Sequence, residues 1–311
     1  MKVSLIVPCF NEAQSVHAFH DAVRSAFSGS PYDYEILYID DGSTDATLHN
    51  LKEIYAQKDA KVKIISFSKN FGKEAGIFAG LEHAGGDYLS VIDADLQQQP
   101  SLVVQMVDIL EANSQYDIVA AYQESRDESK ILSFFKRGFY RAINILSETK
   151  LRHDASDFRT FRRSVAESIL KMREYHRFSK GIFAWIGYST CYIPYTADKR
   201  VAGQSKWTFR SLTKYAISGI VGYSAKPLHI ATLLGLISAA ASFIYLIVVV
   251  LQKLIRGIPV PGYATIIVLI LFLGGMQLFC LGIIGGYIGR IFEQSKNRPI
   301  YIAKEIIGED F

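Results

Sequence analysis

The sequence is poor in cysteine, in catalytic histidine patterns and in concentrated charge, and each scarcity removes a class of protein. Its 311 residues hold three cysteines, Cys9, Cys191 and Cys280, set far apart. They form no CxxC pair and no zinc-ligand spacing, and an odd number argues against a disulfide framework, which implies a reduced, cytosolic setting for the soluble part. The seven histidines show no HExxH or comparable spacing. His17, His20 and His49 lie in helical stretches and read as structural or solvated; His176 beside Arg177 reads the same way. The formal charge is only +4 and no Lys/Arg block occurs, which excludes a nucleic-acid binder but suits an anionic membrane surface. The opening MKVSLIVPCFNE carries an apolar run too short for a signal peptide, ended by Pro8, and reads as a first buried strand. Internal repeats and low-complexity tracts are absent too.

What is present is hydrophobicity, unevenly spread. Half of the residues (50%) are hydrophobic, yet up to about Tyr223 the chain reads as ordinary soluble protein. His229 to Leu251 and Ala264 to Gly289 then run without Asp, Glu, Lys or Arg, each long enough to span a hydrocarbon core of roughly 30 Å. Gly274, Gly275, Gly282, Gly285, Gly286 and Gly289 in the second allow close helix contact. Lys226 precedes the first span, and Arg290, Lys296, Arg298 and Lys304 follow the second, while the connecting loop carries only Lys253 and Arg256. The positive-inside rule therefore puts both chain ends in the cytoplasm. A transmembrane hairpin at 227–290 with a basic cytoplasmic tail at 291–311 is expected. Two stretches ahead of it are amphipathic: Phe135, Phe139, Ile143 and Leu146 share one helical face, as do Phe209, Leu212, Ala216 and Ile220. They suit helices lying in the membrane interface, or else helices packed on a sheet.

The first half alternates β-branched runs with helical spacing. Val3–Val7, Tyr34–Ile39, Val62–Phe67, Tyr88–Ile92 and Ile118–Ala121 read as strands; Glu12–Phe27, Thr44–Ala56, Lys73–His83 and Leu102–Ala112 read as helices. That alternation predicts an α/β fold with a mostly parallel sheet covered on both faces. Ligands bind beyond the carboxyl ends of such strands, where the polar clusters Asn11-Glu12, Asp40-Asp41 and Asp93-Ala94-Asp95 fall. An Asp-x-Asp at a strand end can hold a divalent metal through hard oxygen ligands and neutralise a leaving diphosphate; alone it is equally a solvated turn or a helix cap. Gly42 to Thr44 turn the chain into a helix with a Ser/Thr cap at hand, and Asp40 or Asp41 can accept hydrogen bonds from uracil or ribose.

In order, VSLIVPCFNEAQSV, YDYEILYIDDGSTDAT and FSKNFGKEAGIFAGLEHAGGDYLSVIDADLQQQP resemble the family-2 glycosyltransferases of the GT-A, Rossmann-like fold. Within them the chain is similar to the polyprenyl-phosphate branch, the bactoprenol glucosyltransferases and the dolichol-phosphate-mannose-synthase-like enzymes. The likeness runs over nearly the whole chain, spans included. It implies a cytoplasmic GT-A domain at 1–205 (a nucleotide-sugar half, 1–124, and an acceptor half, 125–205), a juxtamembrane helix at 206–226, and then the hairpin. The resemblance places Pro8, Asn11, Glu12 and Asp40 around the nucleotide, Lys69, Gly72 and Lys73 near nucleotide and sugar, and Asp93, Asp95 and Gln97 at the sugar and at Mg²⁺ or Mn²⁺, with Asp95 the metal ligand. The His or Asp usual after that glutamine is Gln98 here. Ser156-Asp157-Phe158-Arg159 matches the segment facing donor and acceptor. Arg200, Ser205 and Lys206 fall in a matching basic stretch suited to phosphate, whereas Arg162 and Arg163 read as surface arginines. Asp157 is expected to orient Arg159 or the acceptor.

The activity implied is inverting transfer of glucose or N-acetylglucosamine from a UDP-sugar to undecaprenyl phosphate at the bacterial inner membrane, by an enzyme that the resemblance makes a homo-oligomer, a tetramer. A processive polysaccharide synthase of the same fold is the alternative, faintly echoed by Gln204-Ser205-Lys206-Trp207. A non-catalytic scaffold or flippase subunit is a third reading, and spans without charge serve transport poorly.

Overall fold

The computed structural model describes residues 1–123, 155–196, 222, 224–256 and 262–308. The two amphipathic stretches and Arg200, Ser205 and Lys206 lie outside them. Strands β1 (Lys2–Cys9), β2 (Asp33–Asp40), β3 (Lys61–Phe67) and β4 (Tyr88–Val91) alternate with helices α1 (Val16–Phe27), α2 (Thr47–Gln57) and α3 (Lys73–His83), and α4 (Ser101–Ala112) follows β4. β5 (Ile118–Gln123), β6 (Ala155–Arg162), α5 (Arg163–Leu170), α6 (Ser179–Trp185) and β7 (Thr190–Tyr195) complete the soluble part. Two long helices, α7 (Lys226–Arg256) and α8 (Tyr263–Ser295), precede a last strand, β8 (Ala303–Ile307).

One sheet carries all eight of these strands in the order β7-β5-β6-β4-β1-β2-β3-β8. β3, β2, β1 and β4 run parallel, and their β-branched residues are buried on both faces, as a helix-covered parallel sheet requires. Leu5 and Val7 of β1 face one apolar layer with Phe19, Leu51 and Met106. Ile6 faces the other, with Ala79, Phe161 and Ile182. The second layer is thin over β1: a Cβ on Gly80 of α3 would stand 2.2 Å from Ile6 Cγ2, so only glycine lets that helix lie so close to the strand.

Three features position the site. The strand order reverses its progression between β1 and β4, the switch point where open α/β sheets bind ligands. β6 runs antiparallel to β4 with Arg159 opposite Val91, which brings the first half of β6 to the carboxyl edge of the parallel strands. β8 pairs antiparallel with β3, Ile64 opposite Ile307, so the segment after the apolar helices is an edge strand of the sheet rather than a plain basic tail.

α7 and α8 run 31 and 33 residues. Their apolar windows have mean hydropathies of 2.6 and 2.3, and nothing in either is buried by protein. Leu236, Leu271 and Leu278 are 67–72% exposed, a continuous bare surface that water does not tolerate and lipid does. The Cys280 thiol of α8 reaches the Ala231 carbonyl of α7, and the Tyr287 hydroxyl donates to the carbonyl of Ser224, just ahead of α7.

Candidate active site

The carboxyl ends of β1, β2, β3 and β4 release four short loops. After β1, Asn11 adopts a left-handed backbone (φ 56°). Its amide carbonyl accepts the Thr44 N–H at 2.9 Å, and its own N–H donates to Ser43 Oγ at 3.0 Å. Glu12 donates its N–H to Thr47 Oγ1 and accepts the Ser15 hydroxyl. Pro8 sits just inside the strand end, its Cβ 3.3 Å from where a Gly76 side chain would begin. After β2, the buried Asp40 carboxylate accepts the Ser43 N–H and the Ser66 hydroxyl, at 3.0 and 2.8 Å. Gly42 turns the chain at φ +66°, where a Cβ would stand 2.5 Å from the Lys69 carbonyl carbon, so loops two and three are packed backbone to backbone.

Asp41 ties those loops together. Its carboxylate accepts the Phe71 N–H at 2.6 Å and the Gly72 N–H at 2.9 Å. Burial raises its pKa and these two N–H groups oppose the rise. Gly72, at φ 95°, opens α3, and Lys69 lays its ammonium over the Phe71 ring at 5.0 Å. Lys73 follows on the first turn of α3 and reaches inward.

Lys73 joins the two halves of the sheet. Its Nζ lies 2.6 Å from Asp93 Oδ1 and 3.5 Å from Asp157 Oδ2. Burial works against its charge, but the two carboxylates outweigh it and raise its pKa. Asp157 is the converse: burial raises it, and Lys73, Lys180 and Arg159 together bring it down to about 2. The second half of the Asp93 setting comes from Gln98, buried to 5%. Gln98 accepts the Asp93 N–H at 3.1 Å and offers its amide to Asp93 Oδ2 at 3.4 Å. A neutral side chain with both a donor and an acceptor can do this, whereas a carboxylate there would repel Asp93. Between them Leu96 has φ 59°, a strained conformation for a branched side chain, and strain of this kind gathers at functional turns. Asp95, half-buried, accepts the Gln97 N–H at 3.1 Å.

Several residues stand differently from expectation. Asp157 is expected to orient Arg159 or the acceptor; its carboxylate lies 3.5 Å from Lys73 and also feels the Arg159 charge, while Arg159, only 5% exposed, donates to the Ser156 carbonyl at 2.9 Å and stacks over Phe183 at 4.1 Å. Arg162 and Arg163 are fold pins rather than surface arginines: they donate to the carbonyls of Tyr116, Leu110, Gly86 and Ala84. Glu74 gives no sequence signal beyond adjacency to Lys73, yet its carboxylate accepts the Ser179 N–H at 2.9 Å and fastens the start of α6. Burial, and then the Asp157 charge, raise its pKa. Beyond α5, His176 pairs with Glu293 near the end of α8, and Gln294 accepts the Tyr175 N–H at 2.8 Å.

Carboxylates, a bridging lysine and a strained turn thus gather at the switch point of the sheet. Residues 4–170 match the family described as Glycosyl transferase family 2, and residues 226–291 match the GtrB C-terminal hairpin. The chain belongs to glycosyltransferase family 2. This glycosyltransferase is 43% identical over 303 residues to CsbB of Bacillus subtilis (strain 168), which covers 97% of this chain and 91% of that one. It is 40% identical over 305 residues to the bactoprenol glucosyl transferase of Shigella phage SfV, covering 98% of each. Among solved structures it is similar in fold, at a TM-score of 0.51 and 17% identity, to glucosyl-3-phosphoglycerate synthase from Mycobacterium tuberculosis, which was crystallised with Mn²⁺, UDP and phosphoglyceric acid. That match covers 71% of this chain and 76% of the other and supports the GT-A architecture. With its bare apolar helices, the glycosyltransferase is membrane-associated.

Proposed function

We propose that this glycosyltransferase moves a hexose, glucose ahead of N-acetylglucosamine, from a UDP-sugar to undecaprenyl or a similar polyprenyl phosphate. The observation that carries the reading is a short path from membrane to site. The end of α8 holds the 173–176 loop through Glu293 and Gln294. That loop runs into α6, whose first residue is tied to Glu74, the neighbour of Lys73. These contacts support an approach of a lipid phosphate from the α8 side, with a water-soluble donor bound over the carboxyl edge of the sheet. The full-length likeness to bactoprenol glucosyl transferases points to the same acceptor and to glucose.

In the reaction a lipid phosphate oxygen attacks the anomeric carbon, and the bond from that carbon to the UDP oxygen breaks with its electron pair leaving on the diphosphate. One displacement inverts the configuration. The second pKa of a monophosphate is near roughly 6, so the nucleophile arrives charged and no proton is transferred. Asp157 suits this: a carboxyl held at about 2 is a poor base at neutral pH. Its role, with Asp93, is to fix Lys73 toward the phosphates, while Arg159 supplies a second fixed cation. Asn11, Glu12, Asp40 and Lys69 line the nucleotide side; Arg200, Ser205 and Lys206 are assigned to the acceptor from the family motif. A divalent Mg²⁺ or Mn²⁺ fits beside Asp95. Among the described residues no three His, Cys, Asp or Glu side chains could hold a metal by themselves, so a carboxylate would share the ion with diphosphate oxygens. Bound there, the ion neutralises charge on the leaving diphosphate.

Purified protein given a panel of uridine- and guanosine-diphosphate sugars with undecaprenyl phosphate is expected to yield a glucosyl lipid phosphate by mass, most rapidly from UDP-glucose. No lipid product from any donor would remove the reading.

Both chain ends are assigned to the cytoplasm. The pairing of β8 into the sheet that holds β1 supports a return of the chain after α8 to the side it left. A cysteine placed at Lys253 is therefore expected to react with an impermeant thiol reagent in intact cells, and one at Lys58 to be protected. The reverse pattern would put the site on the wrong side for nucleotide-sugars.

A further inference from the structure

The loop assigned to the nucleotide-sugar, residues 68–72, is backed by chain from beyond the membrane hairpin. Tyr301 stacks on Phe67 with ring centres 4.9 Å apart and planes at 23°. Phe67 meets Phe71 edge to face at 5.8 Å, and Phe71 is the residue whose N–H sits on Asp41 and whose ring lies under Lys69. The Tyr301 hydroxyl donates to Glu82 at 2.8 Å, anchoring the ring to the far end of α3. One residue on, the Ile302 carbonyl accepts the Ser68 N–H at 3.0 Å. The β3–β8 register shifts between Ser66 and Phe67, at the point where β3 gives way to the loop. Lys52 of α2 holds Glu305 at 2.7 Å and fixes β8 from the other side. The loop thus leans on two supports, Asp41 from within the domain and the Tyr301 stack from the returning segment.

We propose that Tyr301 is a positioning residue for donor binding, and that the segment 300–307 supports the nucleotide-sugar site from behind, through Phe67 and Ser68 at the start of the loop. The ring stack sets the height of Phe71, and Phe71 sets the backbone from which Lys69, Gly72 and Lys73 project. Removing the ring lowers affinity for the donor and leaves the lipid side unchanged. The inference rests on the reading that loop 68–72 binds the nucleotide-sugar, and the test separates the two.

The test uses full-length enzyme in lipid nanodiscs. Tyr301→Ala, Tyr301→Leu (apolar volume kept, ring removed), Tyr301→Phe and Lys69→Ala are compared by binding of uridine diphosphate and by steady-state kinetics in each substrate. Loss of the aromatic pair that holds the loop is expected, in Tyr301→Ala and Tyr301→Leu, to weaken UDP binding and raise the donor KM by about fivefold, with the lipid KM and kcat within about twofold. Tyr301→Phe keeps the stack and is expected to stay near the parent. Should the Ala variant fail to fold, the Leu variant decides. Donor affinity unchanged in the Ala and Leu variants but weakened in Lys69→Ala would overturn the role of Tyr301 alone. Donor affinity unchanged in all of them would overturn the assignment of the loop, and the inference with it. A loss spread equally over donor, lipid and kcat would mark Tyr301 as merely structural.

Discussion

Asp95→Asn is expected to lower sugar transfer by about 10³-fold at saturating substrates while leaving the fold and its melting temperature unchanged. The carboxylate stands at a half-buried turn and accepts the Gln97 N–H, a bond that the amide oxygen of Asn can also accept. The reaction does depend on its charge: electrostatic groups aimed at developing charge contribute factors of about 10²–10³ each. Chelation of divalent cations is expected to reproduce the loss in the parent enzyme, with Mn²⁺ or Mg²⁺ restoring it. Lipid-product formation, followed by mass, is the measurement. An Asn variant within tenfold of the parent, or a chelated enzyme that still turns over, would exclude Asp95 as the metal ligand.

Lys73→Met is expected to cost a similar factor, about 10²–10³ in rate, and to change the acid dependence as well. Lys73 stands between Asp93 and Asp157, and without it two carboxylates share the site uncompensated. In the parent, the folded-state pKa of Asp157, about 2, lies below its unfolded value of roughly 3.9. Its contribution to stability is therefore complete above about pH 4 and disappears as the pH falls toward 2. With the lysine gone, burial is opposed by the weaker effects of Lys180 and Arg159, so the Asp157 pKa climbs and this loss moves to higher pH. Urea midpoints between pH 2 and 6, compared for the two proteins, read the shift directly. A parent-like rate, or superimposable acid profiles, would mean that Lys73 does not hold the pair.

Much of the architecture follows from local pattern. Strands of β-branched residues alternating with helical spacing make a covered parallel sheet whatever the detailed contacts, because that is how both faces of such strands become buried. The same alternation puts Asn11, Asp40 and Asp93 at one edge of the sheet, since motifs that follow strands sit at strand ends. The two spans were equally legible, because length and absence of charge are properties of the chain alone. Helix starts were less so: α1 begins at Val16, after Glu12 and Ser15 are drawn into turn contacts that spacing does not encode.

Pairing across distance was decided elsewhere. Asp157 shares Lys73 with Asp93 because β6 enters antiparallel beside β4, and no spacing within 93–157 announces that register. Lys73 bridges the two carboxylates, a contact that no spacing in the sequence announces. Gln98, which breaks the usual motif, turns inward to hold Asp93, and Glu74 fastens α6, through contacts set by packing rather than by any local signal. The strand at 303–307 is short, with two adjacent charges at Lys304 and Glu305, and reads as a basic tail until β3 offers it an unpaired edge. The sequence by itself determined the fold class, the hairpin and which motifs share an edge, because hydrophobic period and strand ends are local. Which charge faces which, and which aromatic supports which loop, depended on strand order and side-chain packing, which exist only when distant segments meet.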